Sequence, residues 1–296
     1  MYKDEFLRLH AFTIFFYYLC FFASTALTMH PYCIAAALIG VFCYAAKLSG
    51  TRFIKKSWLF LLPGIAAALI NVLFNHRGIT PVFSLPGGNK VTAEALAYGA
   101  AAAFMLIALC IGFYCFSKVF TSERLTELFA RHFPVFTVIL MMILRFVPLF
   151  VRRFRQINEA QTALGKGAFR GNIFRRFKNL AAIFTVLTGM SLEEAITTAD
   201  SMKSRGYGID GRRCYTGKRF STADAVLTAF SAVCAAAAIY GAVSGKLDCV
   251  YYPRMTLPAF GAELVLSAAG FTLLAFLPLV YDFLEEIRWR SRISEI

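Results

Sequence analysis

Arg205 is the residue whose type and position most clearly offer chemistry in this chain. It ends a polar helix between Ser204 and Gly206, and the glycines at 206 and 208 predict that the helix stops there. A guanidinium presents five planar donors, so an exposed Arg at a helix tip suits recognition of carboxylate or carbonyl oxygens on another protein. A cation near a helix C-terminus is also favourable by about 0.3–1 kcal/mol without any partner. Docking and simple capping are therefore alternative interpretations of Arg205.

A second helix tip, Ala163-Leu164-Gly165, precedes it in the chain. It also closes a long helix with an apolar stripe, and its small residues allow another backbone to approach closely. The two tips share one pattern, in which a residue of variable type is followed by a helix-ending glycine. Both tips close long amphipathic helices of the same cytoplasmic block.

No catalytic constellation is visible. Residues 211–218 approach a phosphate-binding loop, but five residues rather than four separate the glycines, and Arg219 stands where Ser or Thr should bind magnesium. Glu193 and Glu194 are adjacent, so their side chains point about 100° apart on a helix and cannot act as a facing pair. With four His and no C-x-x-C spacing, a metal site is not predicted. We expect no catalytic, cofactor or metal residues, and any energy must come from a partner.

Six long uncharged runs predict the elements that carry these tips. A bilayer core about 30 Å thick needs roughly 20 apolar residues of helix, and 58% of the 296 residues are hydrophobic. The runs are residues 11–29, 31–46, 57–75, 95–117, 225–245 and 264–281. The first run does not predict a signal peptide, because no small-residue cleavage site follows it. The predicted fold class is an all-α integral membrane protein with about six transmembrane helices.

The net charge of +14 is distributed as in a membrane protein. With six spans and a cytoplasmic N-terminus, 27 of the 31 Lys and Arg residues fall in inner segments and 4 in outer loops. The positive-inside rule applies to short loops, and the short inner segments alone carry 9 against 4. A basic nucleic-acid-binding face is the competing interpretation, and this distribution argues against it. We predict a multi-pass protein of the cell (plasma) membrane with both termini in the cytoplasm, the lipid bilayer as a partner and no nucleic acid.

Three blocks are predicted along the chain: residues 1–117 with four spans, residues 118–221 with long amphipathic helices, and residues 222–296 with two spans and a basic tail. The apolar parts of the middle block, residues 133–144 and 180–192, are shorter than a span. If both crossed, the basic residues between them would lie outside, against the charge bias. We expect long amphipathic helices on the cytoplasmic side, lying under the bilayer or obliquely in it.

Basic residues open the second of these helices. Arg175, Arg176 and Lys178 occupy its first turns, where their charges oppose the helix dipole. An anionic headgroup layer nearby would offset that cost. We interpret the basic loop at residues 211–218 as another segment that faces lipid phosphates.

Together these motifs resemble the transmembrane T component of energy-coupling factor (ECF) transporters, the EcfT/CbiQ-like family. The second signature of that family is a helix ending in Ala-Arg-Gly, and Ser204-Arg205-Gly206 departs from it only at Ser204. The first signature follows a Glu-Ala-Gln-like run, here Glu159-Ala160-Gln161 before Ala163-Leu164-Gly165. Two further stretches are similar, Asn75-His76-Arg77-Gly78 and Leu144-Arg145-Phe146-Val147-Pro148. The resemblance covers nearly the whole chain.

The resemblance implies a non-catalytic coupling subunit of an ATP-driven importer for a vitamin or a metal ion. In such a complex two cytosolic ABC-type ATPases grip the two helix tips, and ATP and Mg²⁺ are bound by those partners. A small membrane subunit, the S component, binds the substrate. The resemblance assigns ATPase docking to Ser204, Arg205, Gly206, Ala163, Leu164 and Gly165. It assigns the supporting coupling helices to Arg145, Glu159, Ala160, Gln161, Ala199, Asp200 and Met202.

The chain departs from the family at Leu164, where the first signature has Arg. This asymmetry favours a pair of non-identical ATPases, and Arg145, Lys166 or Arg170 are candidates to compensate for the missing cation. A conventional ABC importer permease remains an alternative, because Glu159-Ala160-Gln161 and Gly165 match its E-A-A-x-x-x-G loop apart from one residue. The nearly uncharged spans argue against the polar path such a permease needs. An integral membrane enzyme acting on lipids would need acids or His clustered at one interface.

Overall fold

The computed structural model describes residues 5–75, 78–84, 90–130, 133–169, 171–209, 220–245, 247, 249–251, 256 and 261–294. His76, Arg77, Arg170 and the basic loop at residues 211–218, for which the sequence suggests roles, lie outside the described residues. Two compact units are present. The larger unit consists of Met1–Thr121 and Arg219–Ile296, and the smaller unit is Ser122–Lys218.

Helices make up almost all of the described structure. After a 3₁₀ turn at Glu5–Arg8 they are α1 (Ala11–Leu27), α2 (Pro31–Ser49), α3 (Thr51–Lys56), α4 (Trp58–Phe74), α5 (Ala93–Val119), α6 (Ser122–Ala130), α7 (Pro134–Ala163), α8 (Ile173–Ser204), α9 (Thr222–Val243) and α10 (Ala262–Ser294). Two short strands, β1 (Pro81–Ser84) and β2 (Lys90–Thr92), pair antiparallel between α4 and α5. The predicted all-α membrane fold class is confirmed.

Seven helices among the described residues are long and apolar enough to cross a membrane. Five of them correspond to predicted spans: α2, α5, α9, α10 and the stretch Phe53–Phe74, which joins the end of α3 to α4. The sixth predicted span, α1, is an apolar helix of 17 residues. The other two are α7 and α8. The expectation that they are too short to span is wrong on length, because they continue past the uncharged runs for 30 and 32 residues.

The larger unit is built by close helix packing. Helix α1 packs on α5 and α9, α2 packs on α5 and α10, and α4 packs on α5. Small residues set the closest approaches: a Cβ on Gly40 would lie 2.8 Å from the carbonyl oxygen of Ala275. The core between these helices is aromatic, and the fully buried ring of Phe6 contacts Tyr17 and Tyr44 edge to face. The N-terminal turn is therefore part of the core of this unit.

Two buried carboxylates hold the N-terminal segment in place. Asp282 accepts a hydrogen bond from the backbone N–H of Phe6 at 2.8 Å, and its other oxygen lies 3.2 Å from the Lys47 ammonium. Asp224 accepts from the N–H groups of His10 and Ser221, each at 2.9 Å. Charges within spans are retained where they are paired. The bonds to Phe6 and His10 join residues more than two hundred positions apart.

Replacing Asp282 by Ala is expected to destabilise the larger unit. The change leaves the N–H of Phe6 and the partly buried Lys47 without their acceptor, which costs about 1–3 kcal/mol. Thermal unfolding of the purified chain in detergent measures the loss. Glu286→Ala is the matched control, because it breaks an exposed pair with Arg290 on the same helix, worth about 0–1 kcal/mol. Equal unfolding midpoints for the two variants would contradict a structural role for Asp282.

The smaller unit consists of α6, α7 and α8, with α7 packed against both of the others. Asn172 caps α8, its side chain accepting from the N–H of Ile173 at 2.9 Å, as its position before the helix predicts. Helix α7 remains continuous through Pro148. Nearly all of the described side chains of α7 and α8 are exposed or half-buried, so these helices carry far more uncovered apolar surface than a soluble protein would retain.

Candidate docking tips of the two long helices

Helices α7 and α8 are joined by an ion pair. The Arg153 guanidinium lies 2.5 Å from the Glu194 carboxylate, with both side chains largely covered. The rings of Phe154 and Phe184, with centroids 6.2 Å apart, also connect the two helices. Arg153 precedes Leu164 by eleven residues and Glu194 precedes Arg205 by eleven, so each helix runs about 16 Å from the ion pair to its tip. Residues 153–164 of α7 and residues 194–205 of α8 thus form two arms of equal length.

Side-chain amides fasten the connection between the arms. Asn158 of α7 accepts a hydrogen bond from the N–H of Ala168 at 2.8 Å, and Asn179 of α8 donates to the carbonyl of Gly167 at 3.0 Å. Gly167 and Ala168 are both buried. The end of α7 and the start of α8 are therefore held to one compact loop rather than joined by a loose linker.

The first tip ends in a Schellman motif. Gly165 adopts φ +75°, and its N–H donates to the carbonyl of Thr162 at 3.0 Å. The N–H of Lys166 donates to the carbonyl of Gln161 at 2.8 Å. These two bonds satisfy carbonyls that a helix end would otherwise leave open. They place Leu164 at the C-cap, directly after the last helical residue, with φ −82° and ψ 6°.

The second tip repeats this geometry. Gly206 adopts φ +73° and donates to the carbonyl of Lys203 at 3.0 Å, and Tyr207 donates to the carbonyl of Met202 at 3.0 Å. Arg205 is the C-cap, directly after the last helical residue, with φ −81° and ψ 5°. The backbones of the two tips are therefore of the same type, and Leu164 and Arg205 are equivalent residues.

The side chains at the two tips differ in chemistry although the backbones agree. Leu164 is 71% exposed, and the neighbouring Ala160 and Ala163 are also exposed. At the second tip Arg205 is exposed together with Ser204. One tip therefore presents an apolar side chain and the other a guanidinium from the same backbone frame.

The remaining predicted residues lie behind the tips. Glu159, Ala199 and Asp200 are exposed, and Gln161 and Met202 are half-buried. These five residues lie within the last two turns of α7 and α8.

Arg145 is not part of either tip. It lines a groove of about 600 Å³ between α6 and α7, beside Glu123 and Thr126. Nineteen residues separate it from Leu164, which corresponds to about 28 Å along a helix. Arg145 therefore does not share a surface with Leu164. Lys166, by contrast, is exposed and lies two residues after Leu164.

Among the described residues, no group of three or more His, Cys, Asp or Glu side chains could hold a metal ion. Glu194 is engaged with Arg153 rather than with its neighbour Glu193. Sequence patterns missed this pair, since its members lie 41 positions apart on different helices and no local spacing links them.

Replacing Gly165 by Ala is expected to loosen the first tip. A Cβ at this position meets nothing within 4 Å, so the penalty comes from φ +75° alone and is about 1–2 kcal/mol. Hydrogen exchange at the amides of residues 160–166 should quicken. Gly189→Ala is the control, because its Cβ also meets nothing within 4 Å but it lies inside α8, where Ala is preferred. Faster amide exchange in both variants, or in neither, would contradict the role of Gly165 in closing the first tip.

Comparison with known proteins adds independent information. The model of the CbiQ family, described as cobalt transport protein, matches residues 8–216. Three curated relatives share the description energy-coupling factor transporter transmembrane protein EcfT. Those of Bacillus selenitireducens and Brevibacillus brevis are each 34% identical, over 119 and 103 residues, or 39% and 34% of this chain and 44% and 39% of theirs.

The third relative is from Lactococcus lactis subsp. cremoris. It is 34% identical over 85 residues, or 28% of this chain and 32% of its own. The chain thus spans less than half the length of the curated relatives it matches.

Proposed function

The chain belongs to the CbiQ family of cobalt transport proteins, and from that membership we propose that it is the membrane-embedded coupling subunit of an energy-coupling factor importer. In this role it links two cytosolic ABC-type ATPases to a small membrane S component that binds the substrate. The names of the curated relatives, all energy-coupling factor transmembrane proteins, support this assignment. The substrate would be a vitamin or a metal ion, as the family description of cobalt transport suggests.

The observation that carries the proposal is the pair of matched helix tips. Leu164 and Arg205 end their helices with the same backbone angles and the same capping bonds. A rigid exposed tip on a long helix suits insertion into a groove of another protein, because little conformational freedom is lost on binding. Two such tips at equal distances from one ion pair fit a partner that has two similar halves.

The ion pair provides the mechanical link between the tips. Closure of two ATPases would move the tips, and the Arg153–Glu194 contact would pass that movement between α7 and α8. In this mechanism ATP and Mg²⁺ bind to the partners, and this chain contributes recognition at its tips and rigid arms behind them. The exposed apolar faces of α7 and α8 would hold the S component, so that movement of the arms tilts it.

The charge distribution supports an orientation for the chain. Because the short inner segments carry 9 Lys and Arg residues against 4 in the outer loops, we place both termini and both tips on the cytoplasmic side of the plasma membrane. In this orientation α7 and α8 lie under or obliquely in the bilayer, although their length alone permits a crossing. The tips are then accessible to cytosolic ATPases.

Site-specific photocrosslinking tests the docking role. A photoreactive amino acid in place of Ala163 or Ser204 should yield crosslinks to proteins of ATPase size after illumination of intact cells. The same amino acid in place of Ile79, which is exposed between α4 and α5, is the control and should yield none of these products. If the two tips crosslink only to lipids or to copies of this chain, the docking role is wrong.

Exchanging the charges of the ion pair separates coupling from docking. Arg153→Glu places two carboxylates together and is expected to reduce uptake at least about tenfold, since a repulsive or unpaired charge costs about 1–3 kcal/mol. The double variant Arg153→Glu with Glu194→Arg restores the attraction and should recover most of the uptake. Co-purification of ATPases should persist in all variants, because the tips are unchanged. If the double variant does not recover uptake, the proposed link between α7 and α8 is wrong.

A further inference from the structure

The start of α8 leaves its apolar side chains uncovered. Phe169, Ile173, Phe174 and Phe177 are 73, 81, 85 and 77% exposed. Every residue from 171 to 178 is exposed. Side chains of this size do not remain in water in a folded protein without a compensating surface. This segment, Phe169 and residues 171–178, therefore requires a covering surface, and the chemistry of its side chains indicates which kind.

Cations interleave with these apolar residues. At about 100° per residue, Ile173, Phe174 and Phe177 project from one side of the helix. Arg175, Arg176 and Lys178 occupy the remaining sides. Arg176 folds back to donate from Nε to the carbonyl of Gly171 at 2.9 Å, which keeps its charge close to the helix start. The helix start is amphipathic, with an aromatic side and a basic side.

The charge of this region is of one sign over a long stretch. No acidic residue occurs between Glu159 and Glu193, whereas five basic residues do. Three of these cations stand in the first turns of α8, where they oppose the positive end of the helix dipole. These cations are therefore electrostatically unfavourable within the chain, and an external anionic surface would offset that cost.

An uncharged run follows the basic turns. From Asn179 to Leu192 the helix carries no charged residue. Aromatic and basic residues at the edge of an apolar helix mark the level where headgroups meet acyl chains. An acidic groove on a soluble protein would pair with the cations but would leave the row of Phe side chains without an apolar counterpart.

We propose that Phe169 and residues 171–178 anchor the α7–α8 connection in the headgroup layer of an anionic bilayer. The Phe side chains enter the acyl boundary, and the cations contact lipid phosphates. Since Asn158 and Asn179 bind the connecting loop to both helices, the anchor holds the end of α7 and the start of α8 at the membrane surface. This inference depends on the membrane location of the chain and not on ATPase docking.

Tryptophan fluorescence in nanodiscs tests the anchor. The two native residues, Trp58 and Trp289, are replaced by Phe, and Phe177→Trp supplies a single probe. Brominated phosphatidylcholine or brominated phosphatidylglycerol serves as the lipid quencher, and iodide serves as the aqueous quencher. A chain that keeps only Trp58, in an apolar helix, is the lipid-facing control. Thr197→Trp, on the polar side of α8, is the water-facing control.

The expected result is that brominated lipid quenches the indole at position 177 as strongly as it quenches Trp58, with little quenching by iodide. Brominated phosphatidylglycerol should quench this probe more strongly than its share of the lipid predicts. The triple variant Arg175→Gln, Arg176→Gln, Lys178→Gln should remove that preference, whereas Lys55→Gln with Lys56→Gln should not. Quenching by iodide at the level of the water-facing control would overturn the proposal, as would protection of the probe only after ATPases are added.

Discussion

Arg205→Glu is expected to abolish recovery of the ATPase that docks at the second tip and, with it, substrate uptake. Arg205 ends its helix at an exposed tip, and the substitution exchanges five donors for a carboxylate in the same backbone frame. Charged residues at the centre of an interface cost about 2–4 kcal/mol or more when removed, so the affinity should fall at least about thirtyfold. Co-purification from detergent-solubilised membranes and uptake in cells measure the two effects.

Two variants separate a docking role for Arg205 from simple helix capping. Lys203→Glu reverses a charge in the same last turn and should leave assembly nearly unchanged. Arg205→Lys keeps the charge and the favourable interaction with the helix dipole but loses the planar fork, so assembly should be intermediate. If Arg205→Glu folds, inserts and still recovers ATPases in normal amounts, capping is the only role of Arg205.

Leu164→Arg is expected to weaken binding of one ATPase and spare the other. Leu164 occupies the position equivalent to Arg205, and its exposed side chain fits an apolar pocket rather than an acidic groove. An Arg placed in such a pocket loses its hydration without gaining a carboxylate, which costs several kcal/mol unless it finds a partner. We expect at least about a tenfold loss at the first tip.

Binding of each separately purified ATPase to the immobilised chain tests this asymmetry. Arg205→Leu is the matched exchange at the second tip and should weaken the other ATPase. Lys166→Gln controls for the nearby charge. If Leu164→Arg leaves the binding of both ATPases unchanged, or strengthens the binding of one, the expected apolar pocket on the ATPase is wrong. The asymmetry between the tips then carries no information about the partners.

Local signals in the sequence predict much of this architecture. The glycines at 165 and 206 correctly mark the ends of the two long helices, and Asn172 marks the start of the second. These residues act through bonds to near neighbours, so their effect can be read from spacing. The apolar runs likewise predict the membrane helices, because the bilayer imposes a length.

Contacts between distant residues account for what the sequence does not predict. The Arg153–Glu194 and Asp282–Lys47 pairs join different helices, and no periodicity connects their members. The glycines at 165 and 206 mark both helix ends, but the matching angles of Leu164 and Arg205 are visible only in the backbone. The apolar runs underestimate the length of α7 and α8, because isolated charges such as Arg145 interrupt an apolar run without ending a helix.

Affinity purification of this chain from its native membranes, with the bound proteins identified by mass spectrometry, tests the central claim most directly. Coupling predicts recovery of two different ABC-type ATPases together with a small apolar membrane protein, and loss of at least one ATPase from the Arg205→Glu variant. Recovery of the chain alone or as a homodimer, without any ATPase, would contradict coupling and would reduce both tips to capped helix ends.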